Sequence, residues 1–464
     1  MREILPTLDR SSKEPMYSQL YKYIKTEIEN GSIREGEKLP SIRNLSKKMG
    51  ISITTIRLAY DQLAMEGYIL NKEKSGYYVN KLDFVEEVMS LSYDSAHDAS
   101  KVHFERMVSI YDEECFDFIK WKKCLNHVLV YQSKFLLADA DFQGEMELRE
   151  QIAKYVFQSR GVHCNSDEVV VGAGTQQLMN ILTAILNRAG RKSIGFEDPG
   201  YVLSRNIFGA QHFKIHNLPI DEEGILLADA FAKKLDLLYV SPSHQFPTGI
   251  VMSAARRSQL LSWARDTRGY IIEDDYDSEL RYFGRPIPAL KAMDKSGRVI
   301  YMGSFSSTLL PSIRISYLVL PKELLAIYQE IKNSYSQGVS KVDQLALCKF
   351  MEDGYYQRHI RRIRRLYSEK ASMLSDFLNE SYRGKVRIIS NTSGLFMIIE
   401  LRCKYSEEEI ADEFVRHGMK ATPFGSYVQS DYAQKKPNLL LYFYNVESAQ
   451  LPKIIEQVCD KIFA

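Results

Sequence analysis

The sequence predicts an α/β chain in two parts: a small N-terminal domain of three helices and a hairpin, then a large domain with a mostly parallel sheet. Three observations predict it. Apolar residues recur at helical spacing through the first 80 positions and give way to two short runs rich in β-formers. The long remainder alternates short β-branched runs with helical patterns, the signature of strands joined by crossover helices. Its chemically distinctive residues also gather where those β-runs end.

Length and composition set the frame. A chain of 464 residues accommodates two or three domains, and 45% hydrophobic with 26% charged residues is enough to build a large core. Lys and Arg number 61 against 59 Asp and Glu, which excludes a wholesale polybasic or polyacidic protein. Residues 1–80 hold 13 basic and 10 acidic side chains, so that segment is mildly basic and the remainder mildly acidic. No apolar run is long enough for a membrane span, and the start Met1-Arg2-Glu3 lacks the apolar core of a signal peptide. The six cysteines (115, 124, 164, 348, 403, 459) are scattered with no C-x-x-C pair, as expected of free thiols in a reducing compartment. The expected location is cytoplasmic, and no metal site is expected.

In order along the chain, Met16, Leu20, Ile24 and Ile28 form one apolar stripe, closed by Asn30-Gly31. A second helix starts at Ser41, an N-cap after Leu39-Pro40, and stops at Gly50; a third starts at the N-cap Ser52 and stops near Gly67. On the third, Ile56, Ala59, Tyr60 and Leu63 face inward, leaving Thr54, Thr55 and Arg57 outward. Then Tyr68-Ile69-Leu70, a turn over 72–76 with two lysines, and Tyr77-Tyr78-Val79 read as a hairpin with a basic tip. Two short helices about a tight turn followed by such a hairpin make a winged helix-turn-helix, whose second helix enters a major groove. Hydroxyls and helix-start amides hold phosphates, and Arg reads a guanine edge or clamps a phosphate. Each helix alone favours a small helical domain with a solvated Thr/Arg face; the order of the elements reverses that preference in favour of DNA.

This stretch resembles the N-terminal domain of GntR-type regulators, with the text KLPSIRNLSKKMGISITTIRLAYDQLAMEGYI carrying the likeness. The resemblance implies that Arg43, Ser52, Thr54, Thr55, Arg57 and Gly76 contact double-stranded DNA. Ile53 departs from it, standing where the family often has a polar or basic residue. Residues 81–107 lose clear periodicity and read as a linker with at most one short helix.

In the large domain, Val169-Val170-Val171 runs into Gly172-Ala173-Gly174-Thr175 and a helix, offering amides and a positive dipole to a phosphate. Glu197-Asp198-Pro199-Gly200-Tyr201, then Ser241 to Gly249 (SPSHQFPTG), then Ile271 to Glu279 (IIEDDYDSE) and Tyr301 to Arg314 (YMGSFSSTLLPSIR) each follow a β-run. Ligands of open α/β sheets bind at the carboxyl ends of strands, so these segments can converge on one crevice. Taken singly, Asp274, Asp275 and Asp277 would pass for solvated strand-end carboxylates and Arg314 for half of a surface pair.

Together the motifs resemble fold-type I aminotransferases, and specifically the MocR/GabR branch of GntR regulators, over nearly the whole chain. The text QGEMELREQIAKYVFQSRGV (143–162) and the run HIRRIRRLY (359–367) add to the likeness. It implies a winged helix-turn-helix over 1–80 and, over 108–464, a pyridoxal-phosphate-dependent aminotransferase-like domain with a smaller C-terminal α/β subdomain from about 336. By it, Asp274 faces the pyridine nitrogen of the cofactor and Tyr276 its ring hydroxyl. Tyr201 stacks on the ring, while Ala173, Gly174, Thr175, Ser304, Ser306 and Arg314 hold the phosphate. The basic run at 358–365 reads as a helix face.

Two positions depart from the aminotransferase pattern. Ser307 stands where the Schiff-base lysine is expected, and no lysine occurs from Ser296 through Pro321. That amine is both the covalent anchor and the general base of transamination, and a serine hydroxyl replaces neither. Leu440 stands where an Arg of R-L-x-F text usually clamps the substrate carboxylate, with Arg205 and Arg402 as candidate substitutes. The expected function is therefore a homodimeric, DNA-binding transcriptional regulator. Its large domain senses pyridoxal phosphate or an amino compound non-covalently and without turnover. The alternatives are a working aminotransferase with an accessory DNA-binding domain and a large domain kept only for dimerisation.

Overall fold

The computed structural model describes residues 8–9, 12, 14–72, 75–81, 113–282, 287–391, 393–430, 436–444 and 446–464. The chain forms two compact units, Met1–Asp98 and Ala99–Ala464. Apart from Lys81, the linker expected over 81–107 lies outside the described residues, as do positions 73 and 74 of the hairpin turn.

The first unit comprises α1 (Met16–Glu29), α2 (Ile42–Met49), α3 (Ile53–Met65) and the hairpin β1 (Ile69–Lys72) and β2 (Gly76–Val79). The predicted caps are in place. Ser41 Oγ accepts from the Asn44 amide and Ser52 Oγ from the Thr55 amide, while Gly50 closes α2 in the left-handed region. Leu20, Ile24 and Ile28 of α1 pack with Leu45, Ile56, Ala59, Tyr60 and Leu63 into one core. β1 and β2 pair antiparallel from Ile69↔Val79 to Lys72↔Gly76.

The second unit is built on an eight-stranded sheet. Its strands are β3 (Val169–Ala173), β4 (Ser193–Asp198), β5 (Lys214–Asp221), β6 (Gly224–Ile225), β7 (Leu237–Val240), β8 (Tyr270–Asp275), β9 (Val299–Ser304) and β10 (Ile315–Val319). They lie in the order β3-β10-β9-β8-β7-β4-β5-β6. Pairing is parallel from β9 through β8, β7 and β4 to β5. The exceptions are β6, which returns on β5, and β10, which runs antiparallel between β9 and β3. The β10 exception follows from chain length: only residues 305–314 separate β9 from β10, too few for the crossover a parallel return requires.

Helices cover the sheet, among them α5 (Met146–Arg160), α6 (Gly174–Arg188) and α7 (Val202–Ala210), while α4 (Phe118–Tyr131) packs on the helix Lys341–Glu352. Because both faces are covered, β7, β8 and β10 are buried along their whole length. A second sheet of β11 (Val386–Ser390), β12 (Phe396–Leu401), β13 (Ala421–Pro423) and β14 (Asn438–Tyr442) is antiparallel, in the order β11-β12-β14-β13. It follows a long helix over Tyr355–Ser381. Among the described residues, no helix is long and apolar enough to cross a membrane.

Candidate functional site

In the first unit, α3 is amphipathic because its apolar positions repeat every three to four residues, and burying them turns Thr54 and Arg57 to solvent. Arg43 on α2 and Ser52 before α3 are also exposed, whereas Thr55 is half-buried. Ser52 Oγ is engaged locally, meeting Thr55 Oγ1 at 2.8 Å as well as the Thr55 amide. Gly76 opens β2 at φ +111°, a conformation that disfavours any side chain, with Lys38 Cε 3.4 Å from where a Cβ would sit. Two residues on, the Tyr78 ring is approached by both Lys38 and Lys72, with Nζ to centroid distances of 5.6 and 4.8 Å.

In the second unit the five segments singled out in the sequence all end strands, and all five meet around a cavity of about 250 Å3. Thr175, Tyr201, Asp274, Tyr276, Ser304, Ser306 and Arg314 line it together with Ser307. Gly174 joins them through backbone: at φ +82° it starts α6, and a Cβ there would lie 2.5 Å from Arg314 Nη2. Arg314 itself adopts φ +51° between a short 3-10 turn and β10. Ser306 Oγ is buried and has no hydrogen-bond partner among the described residues, while Ser304 Oγ accepts from the Ser306 amide and the Ser316 hydroxyl. Ala173 is the exception among the predicted phosphate ligands, because its amide donates to Gln177 Oε1 within α6.

The opposite end of the cavity is acidic. Asp274, Asp275 and Asp277 are buried, not solvated: β8 is an interior strand and carries its carboxyl end into the protein. Tyr239 donates to Asp274 Oδ2 and receives the Ser204 hydroxyl at 3.1 Å. Desolvation, reinforced by Asp275 and Asp277, pushes the Asp274 carboxyl up to about 7. Desolvation likewise raises buried Glu197 to about 8 and Tyr201 to about 12. Asp275 Oδ2 accepts from Arg160 Nε at 2.7 Å and from the Tyr301 hydroxyl at 2.5 Å, while its Oδ1 is buried without a hydrogen-bond partner among the described residues. Asp277 meets His244 Nδ1 at 2.8 Å, and the Tyr276 hydroxyl lies 2.9 Å from the same nitrogen.

His244, Asp277, Phe246, Phe396 and Tyr442 were not assigned site roles from sequence. The first three lie in quoted strand-end segments, so the same argument reaches them. Phe396 and Tyr442 come from the second sheet, where they are paired across β12 and β14, and no local pattern marks them. Phe246 packs edge-on against Tyr201, Tyr276, Phe396 and Tyr427. Leu440 is fully buried beside Phe396, Ile398 and Tyr442. Neither candidate substitute for its missing arginine lines the cavity. Arg205 is buried and donates to the Glu197 carbonyl, and exposed Arg402 lines a separate concavity with Ser375 and Arg387. The basic run lies on the helix Tyr355–Ser381, with Arg358 donating to the Asp353 carbonyl and Arg364 to that of Glu279.

These residues fit pyridoxal phosphate. An unpartnered buried hydroxyl, a side-chain-free helix start and a guanidinium form a phosphate cradle. A desolvated carboxylate with no cationic partner among the described residues suits a protonated pyridine nitrogen. No cluster of His, Cys, Asp and Glu among the described residues could hold a metal ion.

Residues 16–79 match the family of bacterial regulatory proteins, gntR family, and residues 111–431 match aminotransferase class I and II. The uncharacterized HTH-type transcriptional regulator YdeL of Bacillus subtilis is 40% identical over 91% of each chain. The probable rhizopine catabolism regulatory protein MocR of Rhizobium meliloti is 31% identical over 90% of this chain and 88% of its own. A kynurenine aminotransferase of Pyrococcus horikoshii, solved with PMP and KYN as substrates, superposes with a TM-score of 0.67 at 21% identity. It covers 82% of this chain and 97% of its own, and establishes the fold alone.

Proposed function

From the premise that the chain belongs to the HTH-type transcriptional regulators joining a GntR-family domain to an aminotransferase class I and II domain, we propose that its large domain is a sensor and not a working transaminase. One observation carries this reading. The cavity keeps a phosphate cradle and a ring-facing carboxylate, but Ser307 occupies its wall and no lysine lines it among the described residues. Bound there, pyridoxal phosphate supplies a phosphate anchor and an electron-withdrawing ring. Gly174, Thr175, Ser304, Ser306 and Arg314 would hold the phosphate, Tyr201 the ring face, and Asp274 and Tyr276 the ring edge. Charge-assisted hydrogen bonds worth about 1.5–3 kcal/mol each are enough to approach the roughly 8 kcal/mol of micromolar binding without a covalent bond.

The DNA head presents Arg43, Ser52, Thr54, Thr55 and Arg57, with Gly76 shaping the wing, to a two-part operator. A homodimer would supply the second head. Exposed Phe118, Ile119, Val130, Tyr131, Phe135 and Leu137 form an apolar run along α4 and the turn after it, which supports a self-association face. A cytoplasmic location follows from the DNA target.

The test is a titration with pyridoxal phosphate, followed by calorimetry and visible absorbance, on the native chain and a Ser307→Lys variant. Heat without an imine band in the native chain, and the band in the variant, is the expected result. An imine band in the native chain would overturn the non-covalent reading.

A further inference from the structure

Beside the inner cavity lies an outer one of about 850 Å3. The two share Tyr201, Phe246, Ser306, Ser307, Arg314, Leu395 and Tyr442, so an occupant of the outer space abuts whatever fills the inner one. The outer wall is chiefly aromatic and aliphatic, with Phe116, Phe118, Tyr427 and Tyr444 added to the shared residues. Its only charged side chains among the described residues are Arg314 and Lys420, and no carboxylate lines it.

Lys420 is placed unusually for a surface lysine. Its Nζ sits 4.5 Å from the centroid of the Tyr442 ring, and no ion pair to a carboxylate is formed among the described residues. Although the residue is exposed, partial desolvation against the cavity wall lowers its pKa, and no acid among the described residues raises it back. Its position in the sheet is informative. The Lys420 carbonyl accepts from the Tyr442 amide at 2.9 Å, and Thr422, two residues on, pairs with Leu440. Lys420 therefore enters the same wall from which Leu440 withholds an arginine, but from the start of the neighbouring strand.

We propose that Lys420 is the effector-selecting cation: it receives the carboxylate of an acid with an apolar, aromatic-sized body held in the outer cavity. Aromatic walls favour such a body, and a cation facing no acid favours a single anionic end. The assignment rests on the reading of the inner cavity, because Arg314 is committed elsewhere only if it holds the phosphate.

The experiment compares 3-phenylpropionate with its uncharged amide, 3-phenylpropanamide, by calorimetry on the full chain. The native protein is expected to bind the acid about tenfold more tightly than the amide, the scale of one charge-assisted contact. Lys420→Gln is expected to bind both alike, with Lys420→Arg retaining the preference. Unchanged thermal melting of the Lys420 variants confirms that they fold. A preference that survives in Lys420→Gln, no preference in the native chain, or no heat with either probe overturns the assignment. A parallel pyridoxal-phosphate titration of the native chain separates the two ideas. Cofactor binding without acid preference sinks only the role of Lys420. Acid preference lost in Lys420→Gln, with no cofactor binding, sinks only the reading of the inner cavity.

Discussion

The two units place their binding chemistry on opposite sides of their surfaces. In the N-terminal unit, Arg43, Thr54 and Arg57 stand in solvent and only the apolar stripe beneath them is buried. In the large unit, Asp274, Glu197 and Asp277 are buried, and their charge is held in check by desolvation. A polyanion such as DNA is met by exposed cations that cost the fold little. A small ligand is met by polar groups that already bear the cost of burial and that a bound partner relieves. Substitutions at the first surface should therefore change binding alone, whereas those at the second should change binding and stability together.

The largest effect is expected at Gly174. A Cβ there would collide with Arg314 Nη2 and sit on backbone at φ +82°, so Gly174→Ala should weaken pyridoxal-phosphate binding about a hundredfold, as expected for losing two charge-assisted contacts. Calorimetry checks this, and an unchanged affinity would remove Arg314 from the cradle. Next comes Arg57→Ala, which should weaken DNA binding about tenfold to a hundredfold while leaving cofactor affinity and melting temperature unchanged. A mobility shift with unaltered affinity would take α3 out of the groove.

The third prediction uses pH. Asp274 and Glu197 titrate at about 7 and about 8 in the folded chain, against about 4 when unfolded. Between those values the folded chain holds protons that the unfolded chain releases. Stability of the large unit is therefore fullest near the unfolded pKa and declines as pH rises towards 8. Calorimetric melting should show its transition falling from pH 6 to pH 8, and Glu197→Gln should flatten the slope; a transition that rises with pH would contradict the burial argument. The smallest effect is expected at the caps. Ser41→Ala or Ser52→Ala should each destabilise the N-terminal unit by about 1 kcal/mol, leaving the large-unit transition in place.

How much was legible in the sequence follows the same division. The N-terminal helices could be read to within a residue because their signals are local: Ser41 and Ser52 cap the next turn, Gly50 ends one, and the stripe repeats every turn. The strand-end segments of the large unit were equally readable, since a parallel sheet brings carboxyl ends to one edge wherever the chain crosses over. Three features were not. The direction of β10 depended on the shortness of the 305–314 connection. Ala173 looked like a phosphate ligand because the motif includes it, yet Gln177, one helical turn on, captures its amide. Phe396, Tyr442 and Lys420 reach the cavities by sheet pairing within the second sheet, which leaves no mark on any short window of sequence.

Ligand in the large unit is expected to change how the small unit binds DNA. The most direct measurement enriches a random pool of double-stranded DNA on the full chain, then titrates the enriched sequence with and without pyridoxal phosphate. An affinity change of about fivefold or more, the usual scale of coupling between sites, is expected, and it disappears in Gly174→Ala. Identical affinities in the presence and absence of a ligand shown by calorimetry to be bound would contradict it, and would leave the large unit as a dimerisation body alone.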